Sequence, residues 1–258
     1  MIWECGKINV QNIPRSQKDV KRAFEPKFDA FLFFDYKAIE VRLLAYYLAR
    51  GIGDHSLATE INNGSDPHLV TAQGLYSQEL VTDEQRQVGK TLNFSIIYGG
   101  GTPTIMRQLG VDFKEAKRLL KAYHDTRPGI LQLNNQISET LNSRGYISNL
   151  YGRRLHVEEH HKALNALIQG SAADLMRDAV VRVSKHLDTH YASHIVNIVH
   201  DEIIIDATIS EVHQLTSAVP ELMGNKTVEQ FVSIDTDCEW STTNWAEKEE
   251  YTWQSKTQ

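Results

Sequence analysis

The chain has 258 residues, 41% of them apolar and 23% charged, the balance of a globular protein long enough to bury a real core in one large domain or two modest ones. No apolar run approaches the roughly 18 residues of a membrane span, and the opening MIWECGK lacks the basic-then-apolar pattern of a signal peptide, so no membrane association or export is expected. Formal net charge is −6, from 27 Lys and Arg against 33 Asp and Glu, which argues against a chain that coats nucleic acid by bulk attraction and leaves room for a local basic cleft. The only cysteines, Cys5 and Cys238, have no zinc spacing and allow one bridge at most, which suits a reducing cytosol.

Residues 28–34, FDAFLFF, read as a buried strand ending at Asp35, and residues 37–49 carry a helical pattern, so Asp35 sits where strand passes to helix. Gly51, Gly53, Asn62, Asn63, Gly64 and Pro67 mark loops around a short, weak segment. Thr82-x-x-Gln85 reads as a capping box opening a helix that should stop at Gly99-Gly100-Gly101. Asp112-x-x-Glu115 opens another, ending before Pro128; a third begins at Pro128, with Ile130, Leu133, Ile137 and Leu141 on one face and Gly145 beyond its end. Residues 146–157 alternate and turn near Tyr151-Gly152, predicting a hairpin. A long helix follows over about 162–187, then two strands around His200, Asp201 and Glu202, a helix near 210–223 and a last strand over 231–238. Strands thus fall early and late with helices between, and the simplest architecture is an antiparallel sheet interrupted by a helical insertion at about 55–144.

Two stretches carry chemistry. In IVHDEIII (198–205) adjacent acids interrupt a buried β run; an unpaired buried carboxylate costs several kcal/mol, so HDE is expected to be a tight turn at the rim of a sheet, where carboxylates can meet a metal and a substrate. Along the helix after Thr82, Arg86, Lys90, Phe94 and Tyr98 recur every fourth residue. Each step drifts by only about 40°, so they form one slowly turning stripe. Two cations, two rings and a glycine break fit a nucleotide, cations on phosphates and rings on base and sugar, although basic residues at this spacing alone more often form a solvated face. His156-Val-Glu-Glu159-His160 fits the inverted zincin pattern H-x-x-E-H, which requires both histidines on one helix face; His156 falls in the expected hairpin strand, so the pattern is set aside.

Six segments occur in one order: VQNIPR (10–15), FFDYKAIEVR (33–42), the stripe from Arg86 to Gly99, GRRL (152–155), Asn165-x3-Gln169-Gly170 and IVHDE (198–202). In that order, and over nearly the whole chain, they resemble the motifs of family A DNA polymerases, the bacterial DNA polymerase I family. The resemblance implies an α+β fold with an antiparallel-sheet palm (1–54 and 145–258) and a helical fingers insertion (55–144), a right-hand polymerase architecture lacking a thumb. The thumb and any 3′–5′ exonuclease would precede residue 1.

The resemblance also implies roles, position by position. Asp35 and Asp201 would hold two Mg²⁺ ions, with Glu202 a supporting acid and His200 a structural group or primer-backbone contact. Arg86 and Lys90 would grip the triphosphate of an incoming dNTP, and Lys90 could protonate the departing pyrophosphate. His68 matches a histidine near the phosphates. Phe94 would pack on sugar and base, and Tyr98 would line the base-pair pocket and contact Glu40, the gate against a 2′-hydroxyl. Arg153, Asn165 and Gln169 match positions facing the DNA minor groove, where every correct pair presents an acceptor. Primer-template DNA and dNTPs are the implied partners, in the cytoplasm of a bacterium or phage-infected host. Lys37-Ala38 stands where the family usually has Ser-Gln, Gly100-Gly101-Thr102 replaces bulkier residues, and the segment holding Lys7 is short of an expected arginine. The missing thumb leaves a second reading beside the enzyme: a catalytically weak nucleic-acid-binding fragment or subunit of a split polymerase, working with a separate thumb- or exonuclease-bearing chain.

Overall fold

A computed structural model describes residues 13–14 and 16–251. Cys5, Lys7 and the Gln11, Asn12 and Arg15 of VQNIPR lie outside the described residues. In chain order the elements are α1 (Lys18–Arg22), β1 (Ala30–Tyr36), α2 (Ile39–Ile52), α3 (Ser56–Asn62), α4 (Pro67–Tyr76), α5 (Asp83–Ile97), α6 (Thr102–Leu109), α7 (Phe113–Thr126) and α8 (Pro128–Arg144). A small hairpin of β2 (Ile147–Ser148) and β3 (Arg154–Leu155) and a 3₁₀ turn (His160–Lys162) lead to α9 (Ala163–His190). Then come β4 (His194–Val199), β5 (Glu202–Ala207), α10 (Val212–Met223), α11 (Lys226–Glu229), β6 (Thr236–Ser241) and β7 (Glu249–Glu250). The fold is α+β, and the described residues divide into two compact units.

The first unit takes the residues up to Lys37, 175–225 and those from Ile234 on. Its sheet has the order β4-β5-β1-β6-β7, and β1 pairs antiparallel with both β5 and β6. Alternation along β1 builds two faces. Leu32, Phe34 and Tyr36 lie on one, with Ile203 and Ile205 of β5, and α10 packs against β1 and β6. The Tyr36 hydroxyl donates to the Met223 carbonyl at 2.7 Å, fastening the end of α10 to the end of β1. On the other face Phe31 and Phe33 cluster with Ile204 and Trp245, and Asp35 continues that face toward the rim.

The second unit, 38–174 with 226–233, is helical apart from the β2–β3 hairpin. The signals at Thr82, Asp112, Pro128 and Gly145 act as expected. Thr82 and Gln85 exchange the two hydrogen bonds of a capping box, the Asp112 side chain accepts from the Glu115 N–H, and Gly145 closes α8 at φ 75°. Ile130, Leu133, Ile137 and Leu141 form the buried stripe of α8.

Several expectations are corrected. β1 runs one residue past its expected end at Asp35, to Tyr36, and the turn after β4 is His200-Asp201 alone, because Glu202 already pairs with both Val199 and Asp35 as the first residue of β5. The last main strand is Thr236–Ser241, since a turn and an irregular run occupy 231–235, the start of the segment read as strand. The loop-rich stretch before Thr82 contains α3 and α4, and α6 follows the glycines; Pro67 and Pro103 sit in first helical turns, where a missing N–H costs nothing.

Candidate active site

In the first unit Asp35 stands between two other acids: its cross-strand neighbours are Glu202 on β5 and Asp237 on β6. Directly opposed residues share a face, and like charges so placed repel unless answered. Two lysines answer them. Lys248 pairs with Glu202, lies 3.5 Å from Glu239 and rests its ammonium 4.0 Å from the centre of the Phe33 ring. Lys37 pairs with Asp237 at 2.7 Å, which gives the unusual residue beside Asp35 a definite task. The Tyr36 N–H donates to the Asp201 carbonyl at 3.4 Å, tying the turn to the end of β1. His200 is exposed and holds the left-handed conformation, φ 56°, that this tight turn requires. Asp35, Asp201, Glu202, His200, Lys21 and Lys248 line a cleft of about 370 Å³, and a second cleft of about 830 Å³ shares Asp35, Glu202 and Lys248.

The donor set suits a hard cation. Glu202 and Asp237 are each answered by a lysine, and Asp35 and Asp201 line the same cleft. Among the described residues no group of three or more His, Cys, Asp or Glu that could hold a metal ion is present. Mg²⁺ needs fewer protein ligands than that, since it binds through one or two carboxylates and completes its shell with water and substrate phosphates.

The stripe lies in the second unit. Arg86 Nε donates to Asp66 Oδ2 at 2.6 Å. Asp66 also caps α4, accepting the N–H groups of His68 and Leu69 at 2.8 and 3.4 Å. Burial pushes the Asp66 carboxyl up, but its bonds to Arg86, His68 and Leu69 outweigh this and hold it below its ordinary value. Lys90 is exposed, and its side chain makes no hydrogen bond or ion pair among the described residues. The Phe94 ring lies 5.7 Å from that of His68. The Tyr98 hydroxyl donates to Glu40 Oε1 at 2.9 Å, the contact that the resemblance implies. Gly99 ends the stripe at φ 72°; a Cβ there would lie 2.1 Å from the His161 carbonyl oxygen.

His68 is buried, held there by Gly89. A Cβ on Gly89 would stand 2.4 Å from the His68 carbonyl oxygen, so only glycine lets α4 and α5 approach this closely. Burial, followed among the lowering causes by the positive charges of Arg86 and Lys90, keeps His68 below the ordinary histidine range, against a weaker upward pull from Asp66.

Arg153, Asn165 and Gln169 share the second unit. Arg153 is half-exposed and pairs with buried Asp174, whose other oxygen accepts from Asn149 Nδ2 at 2.6 Å. Asn165 and Gln169 lie one turn apart on α9, Gln169 exposed and Asn165 partly buried, with Asn165 Oδ1 buried and without a hydrogen-bond partner among the described residues. His156 follows β3 and hydrogen-bonds through Nδ1 to the Gly145 carbonyl at 3.0 Å, whereas His160 begins the 3₁₀ turn; the two do not share a helix.

Sequence reasoning passed over Lys248, Asp237, Asp66, Asp174 and Asn93. Asn93 had a signal: it is a polar residue on the apolar face of Leu92, Ile96 and Ile97, one turn after Gly89. Lys248 and Asp237 had none, since only strand pairing brings them beside Glu202 and Asp35.

Comparison with known proteins identifies the family. A model of DNA polymerase family A matches residues 4–247. The chain is 31% identical over 235 residues to DNA polymerase I of Geobacillus stearothermophilus, covering 83% of this chain and 26% of that protein. It is 34% identical over 237 residues to DNA polymerase I of Deinococcus radiodurans (84% and 24%), and 33% over 220 residues to the DNA polymerase of Mycobacterium phage L5 (84% and 34%). Among solved structures, the POL domain of Pol1 from M. smegmatis, in complex with DNA primer-template and dNTP, superposes with a TM-score of 0.82 at 29% identity, over 92% of this chain and 44% of that one. The chain belongs to DNA polymerase family A. It spans about a quarter to a third of the length of these curated relatives.

Proposed function

We propose that this chain transfers nucleotidyl groups from dNTPs to a primer 3′-hydroxyl under the direction of a DNA template. The observation that carries the reading is Asp35 at the end of β1, with the Asp201 turn fastened to the same strand end, in a chain whose family match runs from residue 4 to 247. Two Mg²⁺ ions held by Asp35 and Asp201 would supply Lewis-acid activation of the primer hydroxyl and stabilise the leaving pyrophosphate.

The residues of the chain do the rest. Lys248 pairs with Glu202, which supports reading that acid as a helper beside the two aspartates rather than as a metal ligand. Arg86 and Lys90 bind the triphosphate. Arg86 is pre-oriented by Asp66, while Lys90 is the cation able to give a proton to departing pyrophosphate. Phe94 packs on the sugar and base, Tyr98 lines the pocket, and Glu40 excludes a 2′-hydroxyl. Arg153, Asn165 and Gln169 test the minor groove of the new pair, and His200 contacts the primer backbone. Functionally, 1–54 and 145–258 act as palm and 55–144 as fingers. Primer-template DNA and dNTPs are the partners, in the cytoplasm of a bacterium or phage-infected host. No helix among the described residues is long and apolar enough to cross a membrane.

Primer extension by the purified chain, with Mg²⁺ and with EDTA, tests the reading. Mg²⁺-dependent addition of the templated nucleotide is expected; no extension at any Mg²⁺ concentration would overturn it.

A further inference from the structure

We propose that Asn93 is a positioning residue that fixes His68 as a neutral imidazole with its proton on Nε2, so that the ring is a hydrogen-bond donor and not an acid. Asn93 follows Gly89 by one turn of α5 and is 4% exposed, its amide inserted against α4. Three acceptors surround the two N–H groups of Nδ2: His68 Nδ1 at 3.0 Å, Thr71 Oγ1 at 3.1 Å and, most distant, the Pro67 carbonyl at 3.4 Å. At the other end the Tyr123 hydroxyl donates to Oδ1 at 3.1 Å.

The tautomer follows from donor and acceptor accounting. A carbonyl oxygen only accepts, so the Pro67 carbonyl requires the NH₂ end of the Asn93 amide beside it; reversed, two acceptor oxygens would face each other. The Thr71 hydroxyl has one proton and two acceptors in reach, the Pro67 carbonyl at 2.8 Å and Asn93 Oδ1 at 3.2 Å; given to the nearer carbonyl, it leaves Oγ1 to accept from Asn93. With the amide so oriented, the group facing His68 Nδ1 can only donate. Nδ1 must therefore carry a lone pair, and the ring proton must sit on Nε2. Protonating the ring would set an N–H against an NH₂. Burial, Arg86 and Lys90 oppose protonation as well, and only Asp66 favours it.

The consequence for substrate rests on the function proposed above. A phosphate oxygen reaching His68 meets an N–H donor whose character does not change across neutral pH, so Lys90 rather than His68 is the acid on this side of the nucleotide. Neutral His68 also adds no charge, leaving the cations Arg86 and Lys90 to match the phosphates electrostatically.

The experiment is ¹H–¹⁵N long-range correlation NMR of the full chain labelled in histidine, with the His68 signals assigned by His68→Gln. In the wild type, Nε2 should carry the proton, Nδ1 should show the shift of an unprotonated nitrogen, and the ring should titrate below the ordinary histidine value of about 6.5. In Asn93→Asp a carboxylate replaces the NH₂ group and accepts from Nδ1. The proton should move to Nδ1 and the titration midpoint should rise above the ordinary value. Because the wild-type spectrum alone decides, the proposal stays testable even if the variant does not fold: a proton on Nδ1, or titration at or above the ordinary value, overturns it. Binding of inorganic triphosphate provides the second arm. Wild-type affinity should show no step that tracks the His68 titration near neutral pH, whereas Asn93→Asp should bind more tightly as pH falls through its raised midpoint. A step of several-fold in the wild type at that midpoint would overturn the proposal. No triphosphate binding together with the expected tautomer would remove the nucleotide reading and leave the assignment of Asn93 supported.

Discussion

Replacing Glu40 by alanine should relax discrimination against ribonucleotides by roughly tenfold, and the size follows from one hydrogen bond. The Tyr98 hydroxyl donates to Glu40 Oε1 at 2.9 Å, with Tyr98 44% exposed. A hydrogen bond to a charged acceptor contributes about 1.5–3 kcal/mol when buried; half-exposed, about 1–1.5 kcal/mol is a fair value. A ribonucleotide whose 2′-hydroxyl needs the space of the Glu40 stem must break that bond and displace the stem. At about 1.4 kcal/mol per factor of ten, the bond alone is worth roughly five- to tenfold, and the steric clash brings the total to tenfold or more. The assay is competition of ATP against dATP opposite a template thymine, for wild type, Glu40→Ala and Tyr98→Phe. Tyr98→Phe keeps the ring and removes only the bond, so it should raise the ratio by the bond's share, roughly five- to tenfold, and no further. If Glu40→Ala leaves the ratio unchanged, Glu40 is a helix acid and not a gate, and the reasoning fails.

Asp35→Asn and Asp201→Asn should each nearly abolish extension without unfolding the chain, because each removes an anionic oxygen from the proposed metal pair; wild-type extension with unchanged Mg²⁺ dependence would remove that pair. Lys248→Met keeps an apolar stem near Phe33 but strands Glu202, whose side chain is only 12% exposed, beside Asp35. Losing one partner of a mostly buried pair costs about 2–4 kcal/mol, so thermal unfolding should fall by roughly 5–10 °C and recover largely in Lys248→Met with Glu202→Gln, whereas a shift under about 1 °C would mean that the pair contributes nothing. Gly89→Ala forces a methyl to 2.4 Å from the His68 carbonyl oxygen; α4 and α5 must part, at a cost of about 1–3 kcal/mol, and a variant as stable as wild type by urea unfolding would contradict that close approach.

What could be read from the chain alone was local. The Thr82 capping box, the Asp112 cap, Pro128 at a helix start and Gly145 at its end act through residues three or four positions away, so each was visible in the order of the letters. The stripe of Arg86, Lys90, Phe94 and Tyr98 needed only the helical repeat. Resemblance over six ordered motifs then carried the α+β class and the candidate residues. The short helices α3, α4 and α6 have only a weak pattern, edged by glycine and proline; packing of α3 on α2, of α4 on α5 and of α6 on α7 holds them.

Tertiary structure alone decided the neighbours. Alternation in β1, β5 and β6 cannot say which residue faces which, since register depends on strands more than 160 positions apart, as Asp35 opposite Glu202 illustrates. That register makes Asp35 the middle of three acids and so requires Lys37 and Lys248, neither of which has any local mark of the role. For the same reason nothing around Asn93 in the sequence names His68 as its partner. A buried polar group must be satisfied by whatever the packing brings to it, and the packing is known only once the chain is folded.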